Sequence, residues 1–176
     1  VYDQGAIDGV AYIIMEYVPG PTLRDHIASG PLTVADALEM TSHVLRPLGA
    51  AHRAGLMHRD IKPENVLLPA DGSVPKVADF GLARAVTEAT QTSTGNILGT
   101  VAYLAPELIT SGASTPRADV YSVGVMLFEL LTGEQPFSAD TPIQIAFRNV
   151  HEDIPAPSTR AEGIPAPVDR LVASMT

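Results

Sequence analysis

The stretch from Pro116 to Leu131, PRADVYSVGVMLFELL, constrains this fold more than any other part of the chain. Past Asp119 almost every position is apolar or small, whichever face of a helix it would occupy, and only Glu129 interrupts the run from Val120 to Leu131. A helix that is apolar on nearly every side has to be wrapped by other elements, so it belongs in the middle of a core. The run falls short of the roughly 18 or more residues that a membrane span requires. Gly133 stands where such a helix would end. The 176 residues are 45% apolar and 18% charged, enough to wrap that helix in one domain and too apolar for a disordered or fibrous chain.

The remaining pattern supplies the wrapping. Val10, Tyr12, Ile13, Ile14 and Tyr17 form a β-branched and aromatic run behind an Asp8-Gly9 turn signal, which predicts a hairpin that ends at Pro19-Gly20-Pro21. Between Thr33 and Ala54, apolar residues recur at helical spacing (Val34, Ala37, Leu38, Val44, Leu45, Leu48, Ala51), with Thr33 as N-cap and Gly55 as stop. Pro47 argues for a kink or break in that helix. Short apolar pieces at 66–68 and 74–78 predict small hairpins or loops, and the Thr-, Ser- and Gly-rich segment 87–100 predicts a surface loop. An amphipathic helix is expected from Pro142 to Val150, a connector over 154–167, and a further helix from Val168 onward. No repeat is visible. The start lies inside a strand pattern without a methionine or a secretory leader, and it reads as the interior of a longer chain.

Charge removes several function classes. Twenty acidic residues against 11 basic ones give a net charge of −9, the wrong sign for gripping a nucleic-acid backbone or an anionic membrane. With no cysteine there is no disulfide, thiolate metal cage or thiol nucleophile. The five histidines are scattered, without the spacing of a paired metal site.

The chemistry is concentrated in His58-Arg59-Asp60-Ile61-Lys62-Pro63-Glu64-Asn65, followed 19 positions after Asp60 by Asp79-Phe80-Gly81. Phosphoryl transfer needs this set of parts: a carboxylate to orient and deprotonate an attacking hydroxyl, a cation to neutralise the migrating group, and oxygen ligands for a divalent metal on the nucleotide phosphates. The two segments resemble the catalytic loop and DFG motif of eukaryotic-type protein kinases. Gly99 to Glu107, ending in Ala-Pro-Glu, is similar to the close of a kinase activation segment. Asp119 to Gly124 is similar to the start of the central helix of the C-lobe, and Met15 to Val18 to the hinge between lobes.

The resemblance covers nearly the whole chain and implies a mainly α fold. A kinase C-lobe would span 19–176, cut before its last helix, and a hairpin and hinge remnant of the N-lobe would span 1–18. It implies a protein serine/threonine kinase that moves the γ-phosphate of ATP to protein hydroxyls, because Lys62-Pro63-Glu64 and Thr100 fit that branch. Asp60 would be the base, Lys62 the cation on the γ-phosphate, and Asn65 and Asp79 the Mg²⁺ ligands, with Mn²⁺ as a substitute. Thr100 would sit near the base and the lysine. The backbones of Glu16 and Val18 would bond adenine, with Leu67 as its floor. His58 is expected to pack and bond structurally, Glu107 to make a buried ion pair, and Asp119 to tie down the catalytic-loop backbone.

Arg59 would pair with a phosphorylated activation loop, for which Thr92 and Thr94 stand at the spacing seen in bacterial receptor-type kinases. The segment has no GxGxxG. Its two lysines, Lys62 and Lys76, leave the usual strand lysine unfilled, so by itself it is expected to transfer phosphate at a negligible rate. Two other classes compete. A scaffold without chemistry is opposed by the intact Asp60, Lys62, Asn65 and Asp79; a small-molecule phosphotransferase is opposed by the Lys-Pro-Glu and Ala-Pro-Glu runs. Expected partners are ATP and Ser/Thr-bearing proteins, with no nucleic acid and no membrane contact by this segment. The resemblance implies a cytoplasmic domain, and bacterial relatives allow a membrane anchor and dimerisation of the parent.

Overall fold

The computed structural model describes residues 1–80 and 100–176. The apolar run becomes helix α4, Pro116–Thr132, and thirteen of its seventeen residues are buried, which makes it the axis of the core. Thr115 caps its start by accepting from the Ala118 amide, and Gly133 closes it in the left-handed conformation (φ 79°), where a side chain would be strained. Val123, Val125, Met126, Leu127, Phe128 and Leu130 are fully buried, a contribution on the order of 10 kcal/mol before conformational entropy is subtracted.

Helix α2, Val34–Arg53, and helix α6, Ala166–Met175, pack against α4. Gly124 marks the closest approach: a Cβ there would lie 2.9 Å from the Met175 Cβ. Between them stand α3, Pro106–Ser111, and α5, Pro142–His151, which pack on each other, and a 3₁₀ turn at Pro157–Thr159. The helix expected from Val168 begins two residues earlier, and α2 matches its expected span. No break occurs at Pro47, which lies inside the continuous α2. Proline in a helix interior costs about 3 kcal/mol, and the burial of neighbouring Val44 and Leu48 offsets it.

The expected opening hairpin forms from β1, Asp3–Ile7, and β2, Val10–Ile14, in antiparallel register with Ile7 opposite Val10. Asp8 (φ 51°) and Gly9 (φ 79°) are both left-handed, the turn geometry whose twist suits a two-residue hairpin. Apolar Ile7, Val10 and Ile14 on it remain exposed. A short helix that the periodicity did not signal, α1 (Leu23–Ile27), follows; five residues are too few for a 3.6-residue pattern to show, but its Thr22/Asp25 capping box is written in the sequence. The mainly α architecture is thus as expected. Among the described residues, no helix is long and apolar enough to cross a membrane.

Candidate active site

The segment 58–65 is held from below by one buried carboxylate. Asp119, near the start of α4 and 1% exposed, accepts from the His58 amide (2.9 Å) and the Arg59 amide (2.8 Å) and meets His52 Nε2 at 2.7 Å. This is the tie expected of Asp119. It holds Arg59 at φ 71°, a conformation that costs a non-glycine residue on the order of 1 kcal/mol and persists only where the surroundings dictate it. His58 is completely buried and spends both ring nitrogens structurally: Nε2–H donates to the Ala78 carbonyl at 2.7 Å, and Nδ1 accepts from the Asp60 amide at 3.3 Å. Burial pushes its pKa below the ordinary histidine value, against the opposing pull of the Ala78 carbonyl and Asp119, so the neutral ring is the favoured form.

Above this support the polar side chains converge. Lys62 Nζ lies 3.0 Å from Asp60 Oδ2 and donates to Thr100 Oγ1 at 2.9 Å. Asn65, in the 3₁₀ turn Pro63–Asn65, donates its amide to the Asp60 carbonyl (2.7 Å) and to Asp60 Oδ2 (3.1 Å). With the amide nitrogen committed, Asn65 keeps its Oδ1 as a hard oxygen donor. Strands β3, Val66–Leu67, and β4, Lys76–Val77, then form a small hairpin, and the Ala78 amide bonds the Asn65 carbonyl at 2.8 Å. That bond places Asp79 beside the turn, exposed and left-handed at φ 63°. An amide oxygen and a carboxylate in this arrangement are the donor chemistry that Mg²⁺ takes when substrate phosphates complete its shell. Asp60, Lys62, Asn65 and Thr100 are therefore linked directly, and Asp79 stands next to them.

The segment 15–21 approaches the same hairpin from the other side. Lys76, opposite Leu67 in the register, reaches Glu16 Oε1 at 2.5 Å, so Glu16 and Leu67 sit on one edge, with Val18 half-buried nearby in the chain. The amides of Leu68 and Ala70 bond the carbonyls of Pro21 and Pro19 (2.9 and 2.7 Å). Gly20 lies within this crossing at φ 138°, where a Cβ would come within 2.0 Å of the Leu68 carbonyl oxygen. Gly20→Ala is accordingly expected to destabilise the chain by about 2 kcal/mol or more, read by denaturant unfolding, because backbone cannot yield as a flexible side chain would.

Two expectations fare differently. Glu107 is half-buried but has no ion pair among the described residues; it faces Tyr121, whose phenol burial and then the Glu107 charge raise to a pKa of about 12. The kinase resemblance places the arginine partner of Glu107 beyond Thr176, so the ion pair expected there is not tested by the described residues. Arg59 donates from Nε to Ser114 Oγ at 2.8 Å, while Thr92 and Thr94, like Gly81 and most of the expected 87–100 loop, lie outside the described residues.

Other residues emerge only in three dimensions. Arg24 on α1 donates from Nε to Glu64 Oε1 (2.9 Å), from Nη1 to Glu129 Oε1 (2.6 Å) and from Nη2 to the Tyr103 hydroxyl (2.5 Å). The Tyr103 hydroxyl donates in turn to Glu129 Oε2. Asn149 on α5 donates to the carbonyls of Val101 (3.0 Å) and Leu104 (3.2 Å), fixing the segment that follows Thr100. Glu129 carried one sequence signal, as the charge inside an otherwise apolar run; Arg24 and Asn149 carried none.

Comparison with known proteins accords with this geometry. A family model described as "Protein kinase domain" matches residues 2–175. The chain is 50% identical over its whole length to serine/threonine-protein kinase PknL of Mycobacterium tuberculosis, covering 44% of that protein. It is 46% identical, again over its whole length, to a probable serine/threonine-protein kinase, pknA2, of Bifidobacterium longum, covering 23% of it. Identity to serine/threonine-protein kinase PknB of Mycobacterium leprae is 43%, over 98% of this chain and 28% of that one. The chain thus spans less than half the length of the curated relatives it matches.

Proposed function

Because the chain belongs to the protein kinase domain family, we propose that it is the catalytic-loop-bearing lobe of an ATP-dependent serine/threonine kinase, with residues 1–18 as hinge and N-lobe remnant and 19–176 as C-lobe. The observation that carries this reading is the direct linkage of Asp60, Lys62, Asn65 and Thr100 through bonds of 2.7–3.1 Å. In it, Asp60 receives the proton of a serine or threonine hydroxyl as that oxygen bonds to the γ-phosphorus of ATP and the bond to the departing ADP breaks. Lys62 faces the migrating group, and Thr100 holds Lys62 beside the base until the nucleotide arrives. Asn65 and Asp79 hold Mg²⁺, and Mn²⁺ would suit the same oxygen donors; the metal supplies positive charge against the phosphate oxygens. The backbones of Glu16 and Val18 seat adenine over Leu67. Arg59 leaves Ser114 for a phosphate on Thr92 or Thr94. The setting is bacterial signalling on the cytoplasmic side.

The test uses the intact protein with radiolabelled ATP, a Ser/Thr-bearing protein substrate and, in parallel, an aminoglycoside. Label on serine or threonine, absent from the aminoglycoside, supports the reading. Nucleotide binding without label on any acceptor would replace it with the scaffold reading.

A further inference from the structure

Arg59 is tied twice to one short stretch of chain. Its amide donates to Asp119, and its side-chain Nε donates to Ser114 Oγ at 2.8 Å. The reaction proposed above uses the backbone tie but gives the Ser114 hydroxyl no part beyond releasing Arg59. Ser114 lies in the connection 112–115 between α3 and α4, where Gly112 and Ala113 are exposed and Ser114 and Thr115 half-buried. Few bonds hold it there: the one from Arg59 and, at the next residue, the Thr115 cap on the Ala118 amide at 3.3 Å.

The group facing this hydroxyl sets it apart. Thr22, Thr33 and Ser158 donate to the carboxylates of Asp25, Asp36 and Asp169, which would repel a phosphate. Thr100 aside, Ser114 is the one serine or threonine among the described residues whose hydroxyl accepts from a cationic side chain. We propose that Ser114 is a phosphorylation site of this kinase, modified by a second copy of the chain, and that its phosphate holds Arg59 in the seat Arg59 has to vacate. The Ser114 oxygen bonds to the γ-phosphorus of ATP in the second copy, the bond from that phosphorus to the departing ADP oxygen breaks, and the hydroxyl proton passes to the Asp60 of that copy.

The phosphate brings a charge of about −1.5 to −2 and replaces one neutral acceptor by three charged oxygens, so Nε and a terminal nitrogen of the guanidinium can be taken together. Arg117, exposed and three positions on, adds a second cation to the segment. The Asp119 carboxylate is buried and already spent on two amides and His52. With Arg59 held in this way, a phosphate elsewhere has lost its partner, and modification lowers activity.

The inference rests on the phosphotransfer reading, and label on an unrelated Ser/Thr-bearing protein reports on that reading separately. The test incubates the intact kinase and ATP with an intact Asp60→Asn copy as acceptor and locates phosphate by mass spectrometry. Phosphate on Ser114 of the acceptor is expected, and none at that position in an acceptor that also carries Ser114→Ala, whose Tm should match that of its parent. Kinase synthesised with phosphoserine at position 114 is then compared with unmodified kinase. Its peptide kcat/KM is expected to be lower by about fivefold or more, the size of an ordinary coupling between two sites. With Arg59→Ala in both, the same phosphate should change nothing, since the residue through which it acts is gone. An acceptor labelled elsewhere but not on Ser114, or peptide kinetics that the phosphoserine leaves equal, would overturn the proposal. So would a loss of rate that persists with Arg59→Ala.

Discussion

Replacing Asp60 by Asn in the intact protein is expected to lower kcat by about 10²–10⁴ while nucleotide affinity stays within a few-fold, because general-base assistance is removed without a change of shape. The amide can still accept from Asn65, so the 2.7 Å bond from Asn65 to the residue-60 carbonyl and the turn it stabilises should survive. What disappears is a group able to take a proton, together with the charge that faces Lys62 across 3.0 Å. The measurement is single-turnover phosphorylation beside equilibrium nucleotide binding. Unchanged turnover would mean that Asp60 only organises the loop. A parallel fall in binding would mean that it supports the nucleotide site instead.

Asp119→Ala should do damage of a different kind. It leaves the amides of His58 and Arg59 without their acceptor and removes the partner of His52, all around a site that is 1% exposed. Charge-assisted bonds of this sort are worth about 1.5–3 kcal/mol each, and stranding buried donors adds to the loss, so about 3–5 kcal/mol of stability should go. Arg59, freed from φ 71°, would relax toward ordinary backbone and take Asp60 with it. Denaturant unfolding and kinetics on one sample separate the two cases: Asp60→Asn loses rate at native stability, whereas Asp119→Ala loses both. Native stability in Asp119→Ala would show that the loop is held by something other than this carboxylate.

The central helix was legible because an all-round apolar run admits one environment, and α2 because its seven periodic apolar residues and Thr33 agree. The short helix α1 was not, since a single capping box carries too little signal. Pro47 misled in the opposite direction: local sterics argued for a break, and the packing of Val44 and Leu48 overrode it. At the site, residues close in sequence were readable as a group, and the fold joined them as expected. Thr100, 38 positions from Lys62, came from family resemblance and meets it at 2.9 Å. The pairing expected at Glu107 needed a cation that no described residue supplies.

Local order along the chain thus determined which carboxylates, which amide and which lysine share eight positions, and that an apolar helix must lie in the middle of a core. Tertiary structure alone decided how they are held. Asp119 lies about sixty positions from the loop it anchors, and Arg24 lies 40, 79 and 105 positions from Glu64, Tyr103 and Glu129. Periodicity and motif spacing report neighbours along a chain; a buried ion network depends on which distant backbones the core brings within 3 Å, and that is settled by packing.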